Sequence, residues 1–263
     1  MTRCVMFRLK DLDIVERKDA LNVLPDGKLL INTINAHSYN VARKDPLFAE
    51  ALTHGDVLIP DGMSIVKACK WIRAKSRPQE RIAGWDLFEW EMSRLNEASR
   101  KEIEGKKGLP SRQGRKKKVM FMGSSEETLA LDVKECNQQY PYLEVVTYSP
   151  PYKQVFSEED DRAIILAIND ADPDLLWIGM TAPKQEKWTY AHWKELDVHC
   201  HVGTIGAVFD FFAGTVERAP QWWQQHGVEW LYRLLKEPRR MWKRYIIGNA
   251  LFLLYMLKEA NQK

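Results

Sequence analysis

Polar side chains stand at the ends of four short apolar segments of this sequence. The candidates are Asp61 after DVLIP, Thr33 and Asn35 at the end of KLLINTIN, Gly123 in the turn after KKVMFM, and Gln185 after DLLWIGM. An aspartate can act as a general base, and hydroxyl and amide groups can hold a polar substrate. A glycine-led turn into a helix, as in GSSEE, exposes backbone N–H groups that can bind an anion. These segments predict a ligand site if the fold brings their ends together.

The apolar segments alternate with amphipathic ones. Buried strands are expected over 28–35, 56–60, 117–123, 143–149, 174–180 and 198–204, and helices over 62–75, 86–98, 124–139, 157–170 and 183–196. Such alternation predicts an α/β fold with a mainly parallel sheet and helices on both faces. Ligands of open parallel sheets bind at the carboxyl ends of the strands, which is where the polar residues fall.

Several of these signals also have purely structural explanations. Ser124 with Glu127, and Ser157 with Asp160, have the spacing of capping boxes, so GSSEE is equally compatible with a simple helix cap. For Asp61, a structural Asp-Gly turn is as good an explanation as catalysis when that residue is considered alone. The convergence of several strand ends favours a site.

Composition narrows the class of protein. With 263 residues and 45% hydrophobic content the chain can bury a core, and a net charge of +3 confines any anion binding to local clusters.

The N-terminus lacks the apolar run of a signal peptide, and no apolar segment is as long as a membrane span requires. The four cysteines lack metal-ligand spacing, and the triplet His199-Cys200-His201 is expected to pack rather than bind metal. We therefore expect a cytoplasmic protein.

Paired aspartates give only weak evidence for a catalytic metal. Asp-x-Asp patterns occur at 11–13, 170–172 and 172–174. The last two precede a predicted strand and so fall at the edge opposite the ligands, and a loop explains the first equally well. The sequence therefore favours chemistry without a divalent ion.

Residues 100–118 interrupt the strand and helix pattern. They contain nine Lys or Arg residues with Gly and Pro, which predicts a solvated loop. A nucleic-acid site would need aromatic residues for stacking, and this segment has none, so no nucleic-acid partner is expected. We expect one α/β domain over 1–218 that includes this loop.

A separate appendage is predicted over 219–263. It holds Trp222, Trp223, Trp230 and Trp242, and seven Lys or Arg residues lie between 229 and 260. Tryptophan and arginine interleaved in helices are typical of an element on an anionic membrane surface. The alternative is an ordinary helical pair that packs on the sheet domain.

Longer motifs give a family resemblance. TINAHSYN, LIPDGMSIV, RIAGWDLF, WIGMTAPKQEKW, VGTIGAVFDFFAGTVERAPQWW and VEWLYRLLKEPRRMWKRY, in this order between about 28 and 247, resemble the WecG/TagA/CpsF glycosyltransferases of bacterial polysaccharide and teichoic acid synthesis. The resemblance implies a Rossmann-like fold and an inverting, metal-independent transfer. It further implies that a sugar, often of the N-acetylmannosamine type, moves from a UDP-sugar to a polyprenyl-diphosphate-linked sugar. The enzyme would act at the inner face of the cell membrane.

The resemblance also assigns residues. The family's catalytic aspartate corresponds to Asp61, its threonine to Thr33, its glutamine to Gln185, and its appendage arginines to Arg233, Arg240 and Arg244. On this basis Asp61 is the expected base and the arginines meet the charge of departing UDP. The expected substrate-binding groups are Thr33, Asn35 and Gln185 for the sugar, Gly123 for the diphosphate, and Asp210 for the uridine.

Other functions remain as alternatives. A nicotinamide-dependent enzyme would share the alternating pattern, but no GxGxxG follows the first strands. A non-enzymatic module that binds membranes or nucleic acid would explain the basic segments but not the polar strand ends. Within the family, a donor such as UDP-glucose or a UDP-N-acetylmannosaminuronic acid is the alternative to UDP-N-acetylmannosamine.

Overall fold

A six-stranded sheet forms the centre of the fold. The computed structural model describes residues 7–105 and 115–261. The strands are β1 (Leu29–Ile34), β2 (Val57–Pro60), β3 (Lys117–Gly123), β4 (Leu143–Tyr148), β5 (Leu175–Gly179) and β6 (His201–Thr204), in the spatial order β2-β1-β6-β5-β3-β4. The pairs β1–β6, β5–β6, β3–β5 and β3–β4 are parallel. The predicted α/β class with a mainly parallel sheet is confirmed.

Helices connect the strands. They are α1 (Ala36–Ala42), α2 (Pro46–Thr53), α3 (Met63–Trp71), α4 (Gly84–Gly105), α5 (Glu126–Gln139), α6 (Glu158–Ala171), α7 (Lys184–His192) and α8 (Val208–Phe212). The C-terminal part adds α9 (Gln221–Gln225), α10 (Glu229–Lys236), α11 (Pro238–Trp242), a π-helical turn (Lys243–Ile247) and α12 (Gly248–Asn261). Short 3-10 turns lie at Leu9–Asp11 and Lys18–Val23.

Three local features differ from the sequence prediction. The helices α1 and α2 were not predicted, although the side chains of Asn35 and Asp45 cap them. Ser125, not Ser124, caps α5 by accepting a hydrogen bond from the backbone N–H of Thr128. By contrast, the predicted capping box between Ser157 and Asp160 is confirmed at the start of α6. The last strand begins at residue 201 rather than 198.

Part of the predicted basic loop belongs to regular structure. Residues 100–105 continue α4, where Arg100 forms ion pairs with Glu97 and Glu104 one turn away on either side. Such pairs at spacings of three and four residues stabilise a helix. Residues 117–118 already belong to β3. The predicted loop over 100–118 is therefore too long at both ends. Its centre, 106–114, lies outside the described residues.

The chain divides into two compact units. The first comprises residues up to 24, 32–83 and the chain from 217 onward, and its core contains Tyr39, Phe48, Phe252 and Met256. Phe252 and Met256 come from α12, and burial of each such side chain stabilises the unit by about 1.5–3 kcal/mol. The predicted boundary at residue 219 stays a prediction.

The second unit comprises 25–31 and 84–216. One cluster of its core includes Met120, Ile164, Leu176 and Trp188, and a second, aromatic cluster includes Phe88, Phe121, Trp177 and Phe209. Among the helices of the described chain, none combines the length and the apolar character that crossing a bilayer requires.

Candidate active site

The first unit places Asp61 directly after β2. The backbone N–H of Asp61 donates to the carbonyl of Ile34 at 2.9 Å, which aligns the carboxyl ends of β1 and β2. The N–H of Ile82 donates to the carbonyl of Pro60 at 3.0 Å and thereby brings Arg81 to the same edge. These contacts join residues that are 27 and 22 positions apart in sequence, and they meet at the predicted ligand edge.

Asn35 links this edge to the start of α1. Its Oδ1 accepts the backbone N–H groups of His37 and Ser38, each at 3.0 Å, and this caps the helix. Its Nδ2 lies 3.4 Å from Oδ2 of Asp61. The amide is therefore held by the helix on one side and supports the carboxylate on the other.

A cavity of about 630 Å³ opens next to Asp61, and all the residues around it belong to the first unit. One part of its wall is polar and is formed by Asn35, His37, Asp61, Lys67, Arg81, Glu229, Arg233 and Arg244. The other part is apolar and is formed by Ala68, Trp71, Trp230, Phe252, Leu253 and Met256, among others. The cavity suits a ligand that is both anionic and apolar.

A carboxylate bridges two arginines within the cavity wall. Oε2 of Glu229 accepts a hydrogen bond from Arg81 at 2.9 Å, and Oε1 accepts one from Arg233 at 2.8 Å. The pKa of Glu229 lies below its usual value because the charges of the two arginines and the hydrogen bond from Arg81 outweigh the effect of burial. The three charged groups form one network beside Asp61.

The environment of Asp61 raises its pKa above the usual 3.8. Burial is the main cause, and the charge of Glu229 acts in the same direction. The charges of Arg81 and Arg233 and the hydrogen bond from Asn35 act in the opposite direction. A carboxylate with a raised pKa is a stronger base, which fits proton abstraction.

Arg244 provides a cation without a carboxylate partner in the described chain. Its Nε is buried and has no hydrogen-bond partner, while its guanidinium lies 5.8 Å from the centre of the Tyr245 ring. The positive charge of Arg244 and, more strongly, burial lower the pKa of His37 to about 4, so this histidine is neutral at pH 7. A half-buried guanidinium with no carboxylate partner among the described residues is suited to bind a phosphate oxygen.

Four of the predicted site residues lie in the wall of this cavity: Asp61, Asn35, Arg233 and Arg244. Thr33 lies on β1, partly buried, and is not part of the wall. Arg240 also lies outside the wall, because its side chain is 73% exposed and pairs with Glu237 at 2.7 Å. The structure thus brings together the expected base and two of the three expected arginines.

The remaining candidates belong to the second unit. Gly123 ends β3 with φ +124°, and a Cβ there would approach the carbonyl oxygen of Gly179 to 2.3 Å, so the position requires glycine for packing. Asp210 lies in α8. Burial, assisted by the charge of Asp210, raises the pKa of Asp132 to about 8.

The side chain of Gln185 is buried and fixed in one orientation. Its Oε1 accepts the backbone N–H groups of Met180 at 3.0 Å and Gly206 at 3.1 Å. Its Nε2 donates to Oε1 of Glu186 at 2.9 Å. Burial raises the pKa of Glu186 to about 7. Gln185 therefore joins the ends of β5 and β6.

Several residues of the cavity wall were not predicted, among them Arg81, Glu229 and His37. Arg81 lies in RIAGWDLF and Glu229 in VEWLYRLL, two segments that had been recognised only as motifs, while His37 lies in the unpredicted α1. Beyond its place in that motif, the sequence gives no signal for a role of Arg81. A long-range ion pair leaves no local pattern.

Known proteins resemble this chain over most of its length. An N-acetylglucosaminyldiphosphoundecaprenol N-acetyl-beta-D-mannosaminyltransferase of Bacillus subtilis is 29% identical over 89% of this chain and 81% of its own length. An enzyme of the same name from Bacillus spizizenii is 31% identical over 78% of this chain and 70% of its own length. Residues 6–104 and 106–263 match the model of the glycosyl transferase WecG/TagA/CpsF family. The chain therefore belongs to the WecG/TagA/CpsF family and is a glycosyltransferase.

Proposed function

We propose that this glycosyltransferase moves N-acetylmannosamine from a UDP-sugar to a sugar carried on a polyprenyl diphosphate. The observation that carries the proposal is the cavity in which Asp61 adjoins both a cationic cluster and an apolar wall. A lipid-linked diphosphate has the same combination of charge and apolar surface. The names of the two Bacillus relatives support N-acetylmannosamine as the transferred group and diphosphoundecaprenol-linked N-acetylglucosamine as the acceptor.

Asp61 acts as the general base in this proposal. It takes the proton of an acceptor hydroxyl while that oxygen forms a bond to the anomeric carbon of the donor. The bond from the anomeric carbon to the diphosphate breaks in the same step, and UDP leaves with the electron pair. A single displacement inverts the anomeric centre. A β product, as in the names of the relatives, then follows from an α-linked donor.

Fixed cations balance the negative charge that develops on UDP. Arg244 is available because no carboxylate of the described chain pairs with it, and Arg233 shares Glu229 with Arg81. Preorganised donors of this kind stabilise a departing diphosphate. The proposal therefore includes transfer without a divalent cation, and we expect turnover to be unchanged when a chelator is added.

Residues outside the cavity wall keep their proposed substrate roles. Gln185 offers one N–H to the donor sugar, and Thr33 offers a hydroxyl. The N–H groups that follow Gly123 contact the diphosphate, and Asp210 binds the uridine. Arg240 is proposed to contact phosphate only after membrane binding, because its side chain is exposed.

The C-terminal helices are proposed to rest on the inner face of the cell membrane. Large apolar side chains are exposed along them: Trp230, Leu235, Trp242, Ile246, Ile247, Leu253, Leu254 and Leu257. Exposed Lys236, Arg239, Arg240 and Lys243 accompany them. Apolar side chains at headgroup depth with cations on phosphate are typical of an interfacial element.

The test of the reaction is a direct assay. The enzyme is incubated with UDP-N-acetylmannosamine, UDP-glucose or UDP-N-acetylmannosaminuronic acid and a polyprenyl-diphosphate N-acetylglucosamine, and the product is identified by mass. Asp61→Asn is expected to lower kcat by roughly 10²-fold or more. Asp170→Asn, an exposed aspartate on α6, is the matched control and should leave kcat unchanged. Near-normal turnover of Asp61→Asn would remove the base from the proposal.

The membrane test uses vesicles of phosphatidylglycerol and phosphatidylcholine. We expect binding to the anionic vesicles, weakened by Leu254→Glu. Leu254 and Leu166 are 55% and 60% exposed, so Leu166→Glu on α6 is a control of similar exposure. Equal loss for both variants, or no binding of the wild type, would contradict the proposed membrane contact. Point substitutions are preferable to removal of residues 219–263, because α12 contributes to the core of the first unit.

A further inference from the structure

A buried carboxylate lies near the end of α12. Glu259 is 2% exposed, and it accepts the backbone N–H groups of Leu9 at 3.1 Å and Lys10 at 2.9 Å. The hydroxyl of Tyr39 donates to Oε1 of the same carboxylate. A buried charge is stable only with such partners. Glu259 therefore caps the first 3-10 turn from a distant part of the sequence and binds α1 at the same time.

The helix α1 holds α12 at both ends. Near the start of α12, Nδ2 of Asn40 donates to the carbonyl of Gly248 at 2.7 Å. Near its end, Tyr39 donates to Glu259. Asn249, Phe252, Leu253 and Met256 lie between these two contacts and form part of the cavity wall. The same α1 carries His37, which also lines the cavity.

Apolar packing alone does not define one position for α12. Phe252 and Met256 are buried, but Leu253, Leu254 and Leu257 of the same helix are more than 40% exposed. A helix with leucines on several sides can rotate or shift along a hydrophobic surface at small cost. A carboxylate that must reach two backbone N–H groups and one hydroxyl permits a single register.

We propose that Tyr39 and Glu259 are positioning residues, a latch that sets α12 and hence one wall of the cavity in which the acceptor binds. Neither residue is part of the cavity wall, so the effect on the reaction passes through α12. The link to the acceptor rests on the proposed function. The claim that Tyr39 and Glu259 hold α12 in place is independent of the proposed function.

The experiment compares Tyr39→Phe and Glu259→Gln with the wild-type enzyme. Tyr39→Phe removes only the hydroxyl, whereas Glu259→Gln places an amide against the N–H groups of Leu9 and Lys10. Hydrogen exchange of residues 248–261 reports on α12, and trypsin cleavage after Arg239, Arg240 and Lys243 reports on the segment that precedes it. We expect both rates to rise, and KM for the lipid-linked acceptor to rise about tenfold with kcat changed by less. Tyr152→Phe and Glu159→Gln, at exposed positions, are matched controls.

Each outcome decides one part of the proposal. Wild-type exchange and cleavage rates in Tyr39→Phe would refute the latch, even if Glu259→Gln fails to fold. Faster exchange with an unchanged KM would refute the role of the latch in acceptor binding. Faster exchange in an enzyme whose wild type transfers no sugar would leave the latch intact and refute the proposed function.

Discussion

Nδ2 of Asn35 lies 3.4 Å from Oδ2 of Asp61, while Oδ1 of the same amide caps α1. The amide therefore cannot rotate without loss of the cap, and the proposed base has a fixed neighbour. The hydrogen bond from Asn35 opposes the rise in the pKa of Asp61 that burial causes. Asn35 therefore lowers the pKa of Asp61 in addition to lining the cavity.

Replacement of Asn35 should therefore change the pH dependence of transfer. Asn35→Asp keeps an oxygen for the cap but adds a negative charge next to Asp61. Like charges disfavour ionisation, so the pKa of Asp61 should rise further. We expect the acidic limb of the profile of kcat/KM against pH to move to higher pH. An unchanged limb would show that Asp61 does not determine it.

Two neighbouring charges shift the pKa of Asp61 in opposite directions, so their removal should shift the pH profile in opposite directions. Arg81 lowers the pKa of Asp61, whereas Glu229 raises it. Arg81→Met should move the acidic limb of kcat/KM to higher pH, and Glu229→Gln should move it to lower pH. The exposed Arg162 offers a control, since Arg162→Met should leave the limb in place. Shifts of the same sign in both cavity variants would contradict Asp61 as the titrating group.

The sequence predicted the sheet more completely than the site. Each predicted strand exists, because strands buried on both faces of a parallel sheet are nearly continuous apolar segments. The prediction that all six are buried is wrong for β4, which lies at the edge of the sheet and is buried only at Leu143. The helices α1 and α2 are short, and their main signal lies in the caps Asn35 and Asp45 rather than in hydrophobic periodicity. Short capped helices are easily mistaken for loops.

The site depends on contacts that no local pattern encodes. Asp61 was predictable because it follows a strand at the ligand edge. Its neighbours were not, because Arg81 pairs with Glu229 over 148 positions and Tyr39 with Glu259 over 220. The family resemblance placed Arg233, Arg240 and Arg244 together, whereas the structure places only two of them in the cavity wall. Tertiary packing decides which face of each helix lies toward the cavity, and therefore which arginines reach it.

A buried histidine in the second unit should make stability depend on pH. Nδ1 of His201 is hydrogen-bonded to Glu91, and Nε2 lies 2.9 Å from the carbonyl oxygen of Pro25. Burial lowers the pKa of His201 and the charge of Arg94 acts in the same direction, but the contacts with Glu91 and Pro25 outweigh both and raise it above 6.5. The protonated form is therefore the one that the fold stabilises.

The sign of this dependence follows from linkage. A raised pKa in the folded state contributes stability that is complete below the unfolded value near 6.5 and is lost as the pH rises through the folded value. The difference in free energy of unfolding between the wild type and His201→Gln should thus shrink as the pH rises from 6 to alkaline values. Urea unfolding at several pH values measures it. A difference that grows with pH would contradict a protonated His201.

Gly227 should be essential for the position of α10, which carries Glu229 and Arg233. Its φ is +68°, and a Cβ there would lie 2.7 Å from Cγ of Met63. Gly214 provides a matched control, because its φ is +71° and a Cβ there would meet no atom within 4 Å. Gly214→Ala should cost about 1–2 kcal/mol from the backbone alone. Gly227→Ala should cost more in urea unfolding and should also lower transfer activity, because Met63 and α10 must move apart. Equal costs for the two variants would show that contact with Met63 does not hold α10 in place.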